Sequence, residues 1–490
     1  MRCSASILAL AAATIVYAGP VIKIHQPQQH GNSPSNHRAA RRDPGLLGTA
    51  TRLLGLDGTE LTGLDSALKL LDEATDPVLK LDILDRIQPA TAPPASPEQV
   101  QSVISDAFGT LPPNLNKAAA KLISAGMGVA HLKSFAANME TGENSSNNSN
   151  PDIEPSGATV IYPRADPRDA PYSLPEAQLR AALYIPAGFT YGAKPPVIFV
   201  PGTGSYGGSV FAPNLRKLLT DVRYADPVWL NVPHAMLGDA QQNAEYIAYA
   251  IAYVSAICAA GAGAGAGGNN HNNVSLITWS QGGLGSQWAL TFWPSTRAKV
   301  ANLLAVAADF RGTTVADLLC VSVAGAVPGL LCDPATKQQT YDSAFVRALR
   351  RHGGGSAWVP TTSLYSGFLD EMVQPQQGVS ASAYLGDERG VGVANIEVQT
   401  VCGPGTVGAG FYEHAGILMH ALTHALVVDA LTHEGVCSHF AATGLELADV
   451  VATEALMVTG AALFLLGYPE KVIEEPALFP YAAAVSAVSV

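Results

Sequence analysis

The segment from Val274 to Phe292 constrains the fold of this chain more than any other. Val274-Ser275-Leu276-Ile277-Thr278 is an apolar run of strand length, and Gly283 to Phe292 reads as the helix after it. Between them stand Trp279-Ser280-Gln281-Gly282. A serine on a sharp strand-to-helix turn has its hydroxyl lifted above the sheet, and small neighbours two residues away make that turn possible. Gly282 meets this requirement downstream; upstream the position holds Thr278 instead of glycine. A tight βα turn without chemistry is the plain alternative for the same residues.

The same grammar runs through the second two thirds of the chain. Pro196 to Val200 is a buried-strand run that enters the turn Pro201-Gly202-Thr203-Gly204. Asn243 to Ile257 has helical spacing, and Ala259 to Gly268 is an Ala/Gly loop. Val300 to Ala307, Ser363 to Phe368 and Asn395 to Val401 are further strands. Strands alternating with helices predict an α/β fold, a mostly parallel central sheet covered on both faces. Composition agrees: 48% hydrophobic against 14% charged residues excludes a wholly disordered chain or a charged coiled coil. The net charge of −12 disfavours a nucleic-acid partner. Beyond the N-terminus no apolar run reaches the roughly 18–20 residues of a membrane span.

The N-terminal third has a different character. Arg2, the apolar run Ile7 to Val16 and Val16-Tyr17-Ala18 form a secretory signal, with residues 1–18 removed after Ala18. Residues 19–45 are a polar, disordered leader with the dibasic pair Arg41-Arg42. Residues 46–150 hold three or four helices and a polar linker. Leu61, Leu64, Leu68 and Leu71 share one helix face, as do Leu81, Leu84 and Ile87, and the linker carries sequons at Asn144 and Asn147. Residues 160–490 form the main domain. The predicted location is extracellular, an oxidising compartment. Once Cys3 leaves with the signal, Cys258, Cys320, Cys332, Cys402 and Cys437 remain, an odd number.

If Ser280 is a nucleophile, an acid and a base must follow it in the order Asp/Glu, His. Asp309 ends one strand and Asp370-Glu371 follows the next, so either position offers the acid. His414 lies in a loop after the last strand and is a base within reach of the strand tips. His420 and His424 are four apart, a metal-like spacing on a helix, but the rest of a metal motif is missing; they read as core or surface histidines. No metal or other cofactor is expected. Two N–H donors must face the developing oxyanion. Gln281, next to the nucleophile, supplies one, and Thr203 in the Gly-rich turn is placed for the other.

These strings together resemble the fungal lipase family of Candida antarctica lipase B. The matching residues are Val200-Pro201-Gly202-Thr203-Gly204, Leu276-Ile277-Thr278-Trp279-Ser280-Gln281-Gly282-Gly283-Leu284, Leu290 to Ser295, Val359 to Thr362, Leu364-Tyr365-Ser366, Asp370 to Pro375, Val401 to Pro404 and His414-Ala415-Gly416. The likeness runs from about residue 165 to 481, and the family shares the Thr-Trp-Ser-Gln-Gly elbow. The resemblance implies an α/β-hydrolase fold and hydrolysis or transesterification of triacylglycerols and other carboxylic esters. It implies Ser280 as nucleophile, Asp370 as acid and His414 as base, with Thr203 and Gln281 lining the oxyanion hole. Trp279 would floor the alcohol-side pocket, and Asp309, Gln339, Met372 and Val373 would line the acyl side. Cys402 matches a family cysteine, with Cys437 as its natural partner. Cys320 and Cys332 have no counterpart; they bracket an apolar stretch where the family carries its lid, which suggests a disulfide-pinned lid. Cys258 is then the odd thiol. The helices of residues 50–140 have no match in the family, and Gly405 to Tyr412 is longer than the family's loop. The apolar helix 445–466 is expected in the core, with only transient contact to a lipid interface. The rival expectations are a non-catalytic secreted binding or cell-wall protein on the same fold, and a peptidase or amidase.

Overall fold

The computed structural model describes residues 160–261, 271–316, 332–367, 370–401, 413–433, 468 and 470–484, with shorter stretches at 63–73, 83–84, 86–91, 106 and 115–126. Its frame is a sheet of β1 (Leu183–Tyr184), β2 (Pro196–Val200), β3 (Asp226–Leu230), β4 (Val274–Trp279), β5 (Val300–Val306), β6 (Thr361–Tyr365) and β7 (Val393–Glu397). The strands lie in the order β1-β3-β2-β4-β5-β6-β7. β1 runs antiparallel to β3, and every other neighbour pair is parallel. Parallel neighbours need crossover connections, and helices supply them. The helices used below are α1 (Leu64–Glu73), α2 (Leu115–Ser124), α3 (Ala240–Gly261), α4 (Gln281–Phe292), α5 (Ala344–Arg351) and α6 (Ala421–Thr432).

Side chains alternate across the sheet because successive strand residues point to opposite faces. On β2, Ile198 and Val200 join one core with α3 and α4, while Val197 and Phe199 join the other core with α6. β4 divides the same way: Val274 and Leu276 meet α3 and α4, and Ile277 and Trp279 face α6. Both faces are therefore covered, which is why the central strands read as unbroken apolar runs. Helix α4 is buried along its whole length. The second core also takes in Ala67 and Leu71 of α1, Ile83, Leu84 and Ile87, and Ala120 and Ile123 of α2, so the N-terminal helices share one hydrophobic cluster with the sheet.

Several boundaries differ from the expectations. The expected strand Asn395–Val401 ends at Glu397, and Val398–Val401 is a helical turn that buries Val398. The strand expected at Ser363–Phe368 occupies Thr361–Tyr365. The helix expected at Asn243–Ile257 extends over Ala240–Gly261 and takes in the start of the Ala/Gly stretch. On α1 the buried residues are Ala67 and Leu71, while Leu64 and Leu68 are only partly covered. Strands β1 and β3 have no sequence expectation behind them. β1 has two residues, and β3 begins with Asp226-Pro227, whose carboxylate and ring interrupt the apolar period. Asp226 is held there by Thr190, whose N–H and hydroxyl donate to Oδ2 at 2.6 and 2.7 Å.

Cys258 is a free, buried thiol, and burial pushes it up to about 12. Cys332 is disulfide-bonded. The signal and leader, the sequon linker, Cys320 and the lid stretch, Cys402, the loop from Gly405 to Tyr412, Cys437 and the segment 445–466 lie outside the described residues. Among the described residues no helix is long and apolar enough to cross a membrane.

Candidate active site

The carboxyl ends of the parallel strands carry every candidate residue: Thr203 follows β2, Ser280 follows β4, Asp309 follows β5, Asp370 follows β6 and His414 follows β7. That edge is the usual ligand edge of an open α/β sheet. Ser280 has φ 54° and ψ −129°, a backbone geometry that L-residues rarely adopt. Its N–H donates to the Val306 carbonyl at 3.0 Å, which fixes the turn to the neighbouring strand. The surrounding glycines leave no room for side chains. A Cβ on Gly202 would lie 2.7 Å from Ser280 Cβ, and one on Gly282 would lie 2.5 Å from the Val200 carbonyl oxygen. Gly283 is likewise closed to a side chain, since a Cβ there would lie 2.6 Å from Ala308 Cβ.

Asp370 and His414 are joined directly. His414 Nδ1 lies 2.9 Å from Asp370 Oδ2, and both side chains are buried. The other carboxylate oxygen, Oδ1, accepts the N–H groups of Met372 at 3.0 Å and Val373 at 2.8 Å. Thr313 secures this acid loop: its hydroxyl donates to the Met372 carbonyl and accepts the Gln374 N–H. The Trp279 indole N–H donates to the His414 carbonyl at 2.9 Å, and the two rings lie 5.2 Å apart, which brings His414 beside the elbow. No hydrogen bond joins the Ser280 hydroxyl to His414 among the described residues. Such bonds are often open in the resting enzyme and close with substrate.

Two further carboxyl groups surround this pair. Asp309 is fully buried and neither of its carboxylate oxygens has a hydrogen-bond partner. Burial pushes it up to about 7, against the pull of His414. Of the two carboxylates offered by the spacing, Asp370, the acid that the resemblance implies, contacts the imidazole, and Asp309 makes no hydrogen bond to it. Glu371 accepts the His414 backbone N–H at 2.9 Å through Oε2, while Oε1 is buried without a partner. Burial, then the charges of Asp370 and Glu413, push Glu371 upward. For His414, burial presses downward, but the Asp370 charge and hydrogen bond, then Glu371 and Asp309, outweigh it, and the net shift is upward.

The Gly-rich turn follows β2. Its Gly204 and Ser205 N–H groups donate to the Ala235 carbonyl at 2.8 and 3.2 Å. Ala235 belongs to a run of three non-glycine residues with positive φ, His234 (59°), Ala235 (52°) and Met236 (64°). The Thr203 hydroxyl donates to Gln339 Oε1 at 3.0 Å and accepts from Gln281 Nε2 at 3.1 Å. Gln339, expected on the acyl side, therefore touches the Gly-rich turn directly. Gln281 opens α4, and the first N–H groups of a helix have no intrahelical acceptor, so its N–H is available beside Ser280. His420 is occupied as a helix cap: its Nδ1 accepts the Leu422 N–H at 2.9 Å. Among the described residues no group of His, Cys, Asp and Glu is arranged to hold a metal.

No protein-family model matches the chain. Lipase B of Pseudozyma antarctica is 37% identical over 330 residues, which cover 64% of this chain and 86% of that protein. The chain belongs to the fungal lipase B-like family. The crystal structure of Aspergillus fumigatus lipase B is 38% identical, covers 89% of this chain and 99% of its own, and superposes with a TM-score of 0.66. This lipase B-type chain is thus a carboxylic ester hydrolase with the α/β-hydrolase fold. Membership favours ester hydrolysis over the non-catalytic and peptidase alternatives. It also corrects the expectation for the N-terminal helices. Residues 160–490 make up only about two thirds of the sequence, so a match covering 89% extends well into the region thought to have no counterpart.

Three features of this lipase B-type site lie outside the sequence reading. Glu371 was visible only as the neighbour of Asp370. Asn243, whose Nδ2 donates to Gln281 Oε1 at 3.1 Å, was visible only as the start of a helix. The left-handed turn His234–Met236 has no glycine to mark it.

Proposed function

We propose that this enzyme is a secreted serine lipase or carboxylesterase that cleaves triacylglycerols and related esters through an acyl-enzyme. The observation that carries the reading is the 2.9 Å contact of His414 Nδ1 with Asp370 Oδ2 beside a serine at φ 54°. Ser280 Oγ attacks the ester carbonyl as its proton passes to His414 Nε2. Asp370 orients the ring and stabilises the imidazolium. The carbonyl oxygen becomes an oxyanion and accepts hydrogen bonds from the N–H groups of Thr203 and Gln281 and from the Thr203 hydroxyl. His414 then returns its proton to the leaving alcohol. Water repeats the sequence on the acyl-enzyme and releases the acid; an alcohol in its place gives transesterification.

Trp279 bounds the alcohol side in this reading, and Asp309, Gln339, Met372 and Val373 bound the acyl side. A neutral Asp309 suits an apolar acyl pocket, and burial favours that form. Export by the signal of residues 1–18, glycosylation of the linker, a Cys402–Cys437 bridge and a lid pinned by Cys320–Cys332 complete the proposal. The disulfide at Cys332 supports an oxidising destination.

The test is the turnover of p-nitrophenyl esters by Ser280→Ala. The expected loss is on the order of 10³-fold or more. Activity retained near the wild-type rate would remove Ser280 from the mechanism.

A further inference from the structure

A chain of side-chain amides runs from the middle of the structure to the oxyanion turn, and its two ends fix the direction of every hydrogen bond in it. Asn243, buried on α3, lies with Nδ2 at 2.9 Å from the Met236 carbonyl, 3.4 Å from the Gly238 carbonyl and 3.1 Å from Gln281 Oε1. Backbone carbonyls only accept, so the atom of Asn243 that meets them is its NH₂ group. That NH₂ also faces Gln281, so Gln281 must present its oxygen to Asn243. The Gln281 NH₂ then faces Thr203 and donates to Oγ1 at 3.1 Å. At the far end Gln339 Nε2 donates to the Ala335 carbonyl at 3.0 Å, which turns Gln339 Oε1 toward Thr203 at 3.0 Å. The Thr203 oxygen is therefore an acceptor on the Gln281 side, and its proton points away from Gln281. Orientations of this kind are settled by the network and not by the amide alone.

We propose that Asn243 is a remote positioning residue of the oxyanion hole. It holds the Gln281 amide in the one orientation that leaves the Thr203 proton free to be donated. Gln339 Oε1 takes that proton in the resting enzyme, and the oxyanion takes it when the tetrahedral intermediate forms. Were the Gln281 amide to rotate, its oxygen would face Thr203 and compete for the same proton. The backbone N–H donors of Thr203 and Gln281 would be unaffected. The proposal rests on the serine-hydrolase reading above and adds to it the origin of the hydroxyl's direction.

A double-mutant cycle on kcat separates this role from a merely structural one. Thr203→Val, which removes the hydroxyl, is expected to lower kcat by about 10²-fold with little change in KM. Asn243→Ala is expected to lower kcat by roughly five- to tenfold, the worth of one neutral hydrogen bond, again with KM near wild type. In the Thr203→Val background the Asn243→Ala loss should vanish, because Asn243 acts only through that hydroxyl. Losses that multiply would overturn the proposal, as would a rise in KM with kcat unchanged. Should Asn243→Ala fail to fold, Asn243→Leu removes the same donor while filling the space, and the same cycle is read from it. The dependence on the wider reading is separable: covalent labelling of Ser280 by a phosphonate does not need the Thr203 hydroxyl. Labelling with additive losses contradicts Asn243 alone, whereas absent labelling contradicts the serine mechanism and this proposal with it.

Discussion

His414 stands beside Asp370, whose charge and hydrogen bond favour the imidazolium, and Glu371 and Asp309 add to this in their ionised forms. The reaction needs the neutral ring as base, so the acid limb of kcat/KM should fall above the ordinary histidine value of 6.5. Glu371→Gln removes a group whose ionised form favours the imidazolium, while keeping an acceptor for the His414 N–H. Asp370, Glu413 and His414 are the groups whose charges act on that position. A pH–rate profile of this variant should show the limb moved to lower pH, and an upward move would contradict the account. Asp309 gives a second residue-level prediction. Its folded value of about 7 lies above the ordinary 3.8, so the folded protein holds a proton that the unfolded chain releases. Stability from this group falls as pH rises from about 4 to 7 and stays reduced above that. Asp309→Asn should therefore raise Tm more at pH 8 than at pH 4; an equal change at both would refute the linkage. The same variant should keep far more activity than Asp370→Asn, for which a loss of about 10⁴ in kcat is expected. At this scale the order along the strand ends pointed to Ser280 and His414 and left Asp309 and Asp370 both open, and only the family resemblance singled out Asp370. That choice depends on which carboxylate reaches Nδ1, and spacing alone carries no such distance. Asn243 was equally hidden, since one asparagine within a helix has no pattern of its own.

The elbow between β4 and α4 is the element on which the site depends. A Cβ on Gly282 would press on the carbonyl oxygens of Val200 and Pro201 at 2.5 and 2.6 Å, and these are backbone atoms that cannot rotate away. Gly282→Ala should cost about 1–3 kcal/mol, the range for overpacking, and lower the melting temperature. Gly355→Ala is the matching control, because a Cβ there meets nothing within 4 Å. Equal melting points for the two variants would contradict the steric account. Strands β2, β4 and β5 were legible because burial on both faces leaves largely apolar runs. β3 was not, since Asp226 and Pro227 break the run. The end of β7 was misplaced because Val398 is apolar and buried in a helical turn as readily as in a strand. Short apolar runs do not distinguish the two states.

Across the whole molecule, one hydrophobic cluster links the N-terminal helices to the sheet face that carries Phe199, Ile277 and Leu304. Removing residues before 160 should uncover that face. The shortened chain is expected to bind the dye ANS and to melt at lower temperature than the longer one, and unchanged dye binding and melting would contradict a shared core. Sequence periodicity showed that these helices exist but not what they cover, because an amphipathic stripe does not name its partner. The central claim concerns the sheet's carboxyl edge, where β4, β6 and β7 bring together a serine, a carboxylate and an imidazole from positions 280, 370 and 414. Intact-protein and peptide mass spectrometry after treatment with a p-nitrophenyl alkylphosphonate tests it most directly. The account predicts one adduct, on the peptide carrying Ser280, with ester turnover lost in step and no adduct on Ser280→Ala. Turnover that persists with Ser280 unmodified, or an adduct on another residue that abolishes turnover, would contradict it.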